Sequence, residues 1–109
     1  MATATYWQRG ESLDYTNTTS SPLAAGSIVK LQSCIGIVEE TIAPNATGAI
    51  AVEGVFEIAK TDTAAITIGD AVYFDGTGIT NTATSNLLVG YAAESVTAEA
   101  KLIKVKLKG

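Results

Sequence analysis

Residues 101–108, KLIKVKLK, alternate apolar and charged side chains more regularly than any other part of the chain. Successive side chains of a β-strand point to opposite faces, so a period of two divides this stretch into two sides. The apolar side carries Ile103, Val105 and Leu107. The charged side carries Lys104, Lys106 and Lys108. This pattern predicts a β-strand with one buried and one solvated face, and it favours a β fold for the rest of the chain.

Other segments predict further strands of the same kind. Short strands are predicted at residues 12–16, 71–75 and 87–92. Alternation within residues 27–40 predicts one strand face made of Val29, Leu31, Ile35 and Ile37. Residues 49–60, AIAVEGVFEIAK, alternate as one strand with a bend or bulge at Gly54. No segment has the helical spacing of apolar residues over three turns, so we predict an all-β fold, either a small β-barrel or a compact β-sandwich.

The chain of 109 residues is one domain at most. Residues 1–22 are polar and rich in threonine, and we predict an extended N-terminal arm there that includes the strand at 12–16. Residues 23–109 hold the remaining alternating segments and are predicted to form a single β-domain. No repeat of 20–50 residues is apparent in the sequence.

The glycines in residues 72–90, VYFDGTGITNTATSNLLVG, fit either a phosphate-binding loop or a tight hairpin. A phosphate-binding loop of the Walker type needs a lysine after its glycines and a helix that follows them. Asp75-Gly76-Thr77-Gly78 is followed by Ile-Thr-Asn, with no lysine and no helical pattern. We therefore predict a hairpin with one or both glycines at positive φ.

The sequence offers little for catalysis or metal binding. It has no histidine and a single cysteine, Cys34, and histidine is the commonest general base and metal ligand. Glu53 and Glu57 lie on one predicted strand face but roughly 13 Å apart, which is too far for a coupled acid–base pair. We therefore predict no enzyme activity, no cofactor and no metal site.

The lysines at the C-terminus admit three interpretations. They resemble a phosphate-binding strip, they protect an exposed strand from edge-to-edge aggregation, or they pair with Glu53 and Glu57 on a neighbouring strand or subunit. The two structural interpretations are favoured, because Arg9 is the single arginine and the rest of the chain is acidic. We expect no nucleic-acid partner and no membrane partner. Lys104, Lys106, Lys108, Glu53 and Glu57 form the predicted charge-pairing strip.

Several stretches together resemble a known protein family. They are YWQRGESLDYTNTTSSPLAAGSIVKL at residues 6–31, VEGVFE at 52–57, GDAVYF at 69–74 and TATSN at 82–86, directly before LLVG. They are similar to the small capsid cement, or head decoration, proteins of tailed bacteriophages and prophages. Some members of that family carry a label as RecA/RadA-type phage recombinases. This chain lacks the Walker lysine and the helices that such an ATP-dependent recombinase needs.

The resemblance implies a structural virion protein that binds the capsid exterior and cements the mature shell. It also implies the major capsid protein as partner, a homo-oligomer with a trimer favoured, and a virion location after assembly in the host cytoplasm. The aromatic and arginine residues of the arm are candidate anchors on the capsid or on a neighbouring subunit, namely Tyr6, Trp7, Arg9 and Tyr15. Trp7 covering its own β-domain is the alternative. A different virion or tail component, or a DNA-binding recombination accessory that uses the C-terminal lysines, remains the rival function.

Overall fold

A computed structural model describes residues 2–5 and 10–108, and this part of the chain forms strands and no helix. The strands are β1 (Ser12–Thr16), β2 (Ile28–Lys30), β3 (Ile35–Val38), β4 (Thr47–Ala51), β5 (Val55–Ala59), β6 (Ala71–Phe74), β7 (Ile79–Thr80), β8 (Leu87–Ala92) and β9 (Leu102–Leu107). They form two antiparallel sheets. The first sheet has the order β1-β4-β3-β2, and the second has the order β5-β9-β8-β6-β7. The predicted all-β fold is confirmed, in its sandwich form rather than as a closed barrel.

The stretch KLIKVKLK forms the predicted strand, with one buried face and one exposed face. β9 lies inside the second sheet, between β5 and β8. Its apolar side chains are all buried, namely Ile103, Val105 and Leu107. Lys104 points to the opposite, exposed face. The short strands predicted near 12–16, 71–75 and 87–92 correspond to β1, β6 and β8.

Two apolar clusters form the core. The larger cluster consists mainly of side chains from the second sheet, such as Val72, Ile79 and Val105. It also includes Ile35 and Ile37 from the first sheet. The smaller cluster lies on the other face of the first sheet, and its buried members are Val29, Val38, Ile42 and Ile50. The first sheet is therefore apolar on both faces, because one face packs towards the second sheet and the other is covered by the loops of its own half.

Two of the predicted strands are wrong in extent. Residues 49–60 form not one strand but the end of β4 and all of β5, which lie in different sheets. The break falls at Gly54, whose φ of 115° is a conformation that side chains other than glycine rarely adopt. Residues 27–40 form the β2–β3 hairpin, which places Val29 in the smaller cluster and Ile35 in the larger one. The predicted common face is therefore wrong, because the turn between the strands resets the alternation.

The predicted hairpin at Asp75–Gly78 is confirmed. β6 pairs with β7 through Tyr73 opposite Thr80 and Phe74 opposite Ile79, and Gly76 has a φ of 98°. Asp75 Oδ1 accepts hydrogen bonds from the backbone N–H groups of Thr77 and Gly78, both at 2.9 Å. Two of the N–H groups that this turn could offer to a phosphate are therefore already bound by the chain's own carboxylate.

The chain is a structural duplication, although no repeat was expected from the sequence. In the first half, β1 pairs with β4, β4 with β3, and β3 with β2. In the second half, β5 pairs with β9, β9 with β8, and β8 with β6 in the same way. The cross-strand row Ser12–Ala51–Ile37–Ile28 corresponds to the row Val55–Lys106–Tyr91–Ala71. β7 and the polar tract after it are an insertion in the second half.

The loops repeat as well as the strands. Leu23 and Ile42 form an isolated antiparallel bridge in the first half, and Ile66 and Val96 form its counterpart in the second. Gly26 N–H bonds to the Val38 carbonyl, as Gly69 N–H bonds to the Ala92 carbonyl. The repeat is therefore carried by backbone hydrogen bonds, which many different side chains allow.

Candidate interaction surfaces

The exposed face of the second sheet carries most of the large apolar side chains that the described part of the chain leaves open. These side chains are Val55 (54% exposed), Leu102 (50%), Tyr91 (47%) and Leu88 (37%). Lys104 and Lys106 of β9 lie among them. We call this surface, with Ala71, the outer face. Sequence reasoning found its lysines but missed its apolar residues, although the alternation that buries one side of each strand implies that the other side is open.

The predicted charge-pairing strip is only partly brought together. Glu57 on β5 lies directly opposite Lys104 on β9. Glu94 lies beside the same lysine, since its Oε2 accepts the Lys104 N–H at 3.2 Å. Lys106 lies opposite Val55 and Tyr91, and its ammonium donates to the Leu107 carbonyl at 3.1 Å.

The two remaining members of the strip lie outside the strands. Glu53 belongs to the bend between β4 and β5, and Lys108 follows the end of β9. The structure therefore gathers Glu57, Lys104 and Lys106 on adjacent strands, and it leaves Glu53 and Lys108 at the borders of the outer face.

The candidate arm residues divide between described and undescribed parts of the chain. Tyr6, Trp7 and Arg9 lie outside the described residues. Tyr15 is half-buried on β1 and packs against the smaller cluster. Leu13 is on the same side of β1, opposite Ile50, and is 41% exposed. We call Leu13 and Tyr15 the β1 patch.

A groove of about 600 Å³ lies between the two sheets. Its apolar lining comes from Ile28, Ile37 and Ala51 of the first sheet and from Phe56 and Ile58 of β5. Glu39 and Glu57 also line it, and the Glu39 carboxylate accepts a hydrogen bond from the Ser12 hydroxyl. The groove therefore combines an apolar lining with two carboxylates.

The carboxylates with perturbed pKa values stabilise loops. The Thr61 hydroxyl, followed by the N–H groups of Gly78 and Thr77, lowers the pKa of Asp75. The N–H of Asn81 is the main cause of the lowered pKa of Asp62, whose Oδ2 also accepts from the Thr80 hydroxyl. Both carboxylates hold turns around β7, where hydrogen bonds favour the charged form.

The described part of the chain holds neither a metal-binding cluster nor a helix that could span a membrane. Residues 2–5 and 10–108 contain no group of three or more His, Cys, Asp or Glu side chains arranged to hold a metal ion. No helix long and apolar enough to cross a bilayer occurs among them.

A family model described as "phage cement protein" matches residues 7–107. The match covers both sheets, from β1 to β9. No curated protein and no solved structure matches the chain. The family description agrees with the resemblance seen in the sequence, and it implies a structural role in the phage capsid. Since the match takes in nearly the whole chain, this protein belongs to the phage cement protein family.

Proposed function

We propose that this protein binds the exterior of the capsid through the major capsid protein and stabilises the mature shell. Family membership supports a structural capsid role. The gathering of Val55, Leu88, Tyr91 and Leu102 on one open sheet face supports association with other protein subunits, including further copies of this chain on the shell. Contiguous exposed apolar surface of this kind is typical of protein–protein contacts.

The N-terminal arm is the proposed capsid contact. The family match begins at residue 7, so it includes Trp7 and Arg9. Tryptophan, tyrosine and arginine are the side chains that most often dominate binding energy, and Tyr6 adds a third anchor of this type. An extended segment also binds by strand addition, which uses backbone hydrogen bonds and needs little surface of its own.

Many copies acting together give the cementing effect. A ligand that binds the mature shell alone shifts the shell's equilibrium towards that state by mass action. A homo-oligomer, with a trimer favoured, presents several arms at once, and linked contacts bind far more tightly than one. The protein would then reside on the virion surface after assembly in the host cytoplasm.

Truncation of the arm tests the proposal. A variant that lacks residues 1–10 is expected to remain folded, lose binding to mature shells and no longer raise the temperature at which they rupture. A variant that lacks only residues 1–5 keeps Tyr6, Trp7 and Arg9 and is the matched control, expected to bind as wild type. Unchanged binding by the longer deletion contradicts the arm contact. Lost thermal stability in Trp7→Ala, with binding intact, indicates that Trp7 covers its own domain.

A further inference from the structure

The two halves of the chain meet at an apolar joint. Its first side is the row Ile28–Ile37–Ala51 on the first sheet. Its second side is Phe56 and Ile58 on the edge strand β5. Ile37 and Ile58 belong to one buried cluster, the other three side chains pack against it, and all five line the same groove. We call this contact the internal joint.

The duplication supplies a second copy of each side of the joint. The counterparts of Ile28, Ile37 and Ala51 are Ala71, Tyr91 and Lys106, which pair in the same register on the outer face. The counterparts of Phe56 and Ile58 are Leu13 and Tyr15, which form the β1 patch. One chain therefore carries both sides of the joint twice.

The outer face and the β1 patch are exposed to solvent, whereas the two matching surfaces of the internal joint are packed against each other. Ile37 and Ile58 are buried, each with 7% of its surface exposed. Their counterparts Tyr91 and Tyr15 are exposed and half-buried respectively, and Leu13 is exposed where Phe56 packs on the core. The outer face and the β1 patch together hold every large exposed apolar side chain of the described residues except Ile68. The outer face gathers four of these side chains, as interaction surfaces do, and the β1 patch offers one exposed leucine beside a half-buried tyrosine.

The internal joint favours a contact between unlike surfaces. It packs one sheet face, the row Ile28–Ile37–Ala51, on a patch of an edge strand, Phe56 and Ile58. An outer face packed on a β1 patch repeats that arrangement, whereas two outer faces packed on each other do not.

We propose that the outer face of one copy packs on the β1 patch of the next, which reproduces the internal joint between molecules. The occupant of the outer face is therefore a second copy of this chain, in a head-to-tail contact, which forms a ring when the rotation between successive copies closes. This inference specifies the self-association included in the proposed function. It leaves the segment before β1, with Tyr6, Trp7 and Arg9, free to contact the capsid.

Complementary surface variants test the contact. Leu13→Asp disrupts the β1 patch, and Tyr91→Asp disrupts the outer face. Both side chains are exposed, so each variant is expected to stay folded. Circular dichroism and thermal melting check this. By sedimentation velocity, wild type should form a closed oligomer and each variant a monomer, with self-association weakened about 30-fold or more. Mixed in equal amounts, the two variants should form a dimer and nothing larger, because each retains one intact surface. Ile68→Asp, at an exposed position outside both surfaces, is the control and should assemble as wild type.

Three results would overturn the contact. They are a wild type that stays monomeric up to its solubility limit, a Leu13→Asp variant that associates as wild type, and a mixture that stays monomeric. The second result would indicate a symmetric contact through the outer face alone, or a different interface. Binding of each sample to mature shells is measured in parallel. A wild-type oligomer that does not bind the shells would refute the capsid role but not the contact between copies. A wild-type monomer that binds the shells would refute the contact between copies but not the capsid role.

Discussion

Leu13 and Phe56 occupy the same position in the two halves of the chain, but Phe56 is partly buried against the larger cluster and Leu13 is exposed. Leu13 lies opposite Ile50 on β1, and Phe56 lies opposite Val105 on β5. Both are the second residue of a strand at the edge of its sheet. Phe56 packs on the larger cluster next to the first sheet, whereas no described element covers Leu13 to the same degree. The duplicated fold thus uses one such position inside the molecule and leaves the other on its surface.

This difference predicts unequal costs for the same truncation. Phe56→Ala should lower the free energy of unfolding by about 3 kcal/mol, since it removes apolar packing and leaves a cavity at the joint. Leu13→Ala should cost less than about 1 kcal/mol in the monomer, because the side chain is already open to solvent. Urea denaturation of the monomeric Tyr91→Asp background separates folding from assembly. Equal losses for the two truncations would contradict the assignment of Leu13 to the surface.

Gly90 is expected to tolerate no side chain. A Cβ added there would lie 1.9 Å from the backbone carbonyl oxygen of Lys106 on the neighbouring strand, so β8 and β9 would have to separate. Gly90→Ala should destabilise the protein by about 3 kcal/mol or more, or prevent folding. Gly69→Ala is the control, since a Cβ there meets nothing within 4 Å. Its expected loss of stability is about 1–2 kcal/mol and comes from the backbone φ of 92° alone. Thermal melts of both variants compare them, and a smaller loss for Gly90→Ala would be the contrary result.

Asn17 should be essential to the loops of the first half. It is fully buried, its Nδ2 donates to the carbonyls of Ser21 (2.8 Å) and Ile42 (3.0 Å), and its Oδ1 accepts from Thr19. Asn17→Leu removes these hydrogen bonds from a buried site, although both carbonyls keep another donor, and it should cost about 1–3 kcal/mol. Asn81→Ala, at an exposed position, is the control and should change the unfolding free energy by less than about 0.5 kcal/mol. Similar denaturation midpoints for the two variants would show that the Asn17 hydrogen bonds contribute little.

The hairpin at Asp75 should contribute to stability in a pH-dependent way. Its folded pKa lies below the ordinary value of 3.8, chiefly because the Thr61 hydroxyl donates to the carboxylate. The stabilisation is therefore present above about pH 4 and is lost as the pH falls through the folded pKa. In Thr61→Val, the pKa of Asp75 should rise towards its ordinary value in an NMR titration.

The control for that titration is Thr18→Val, an exposed threonine in the other half of the chain. It should leave the Asp75 titration unchanged. An Asp75 pKa that does not move in Thr61→Val would mean that the Thr61 hydrogen bond is not its main cause.

Sequence reasoning succeeded where one strand has one buried face. The alternation around Val105 fixed β9 and its exposed lysines, because burial and exposure follow the strand period directly. It failed at Gly54, since the apolar alternation continues across the turn and carries no sign that the chain changes sheets. The exposed Val55 and Tyr91 were missed for a related reason: a hydropathy pattern places apolar residues in a core and does not identify those that face a partner.

The duplication is clearer in the backbone than in the sequence. Residues 23–29, LAAGSIV, and residues 66–72, ITIGDAV, share apolar side chains at three positions, a glycine and a valine, but five matches in so short a stretch do not establish a repeat. The shared feature is the hydrogen-bonding pattern, such as the Leu23–Ile42 bridge and its Ile66–Val96 counterpart. Side chains that point away from that backbone are free to differ between the halves.

The most direct test of the cementing role is co-sedimentation of the purified protein with mature and with immature capsid shells. We predict saturable binding to mature shells at a fixed number of copies per capsid, and little binding to immature ones. A shell with bound protein should also withstand a higher temperature before it ruptures. Absence of saturable binding to mature shells, or equal binding to both forms with no gain in shell stability, would contradict the account.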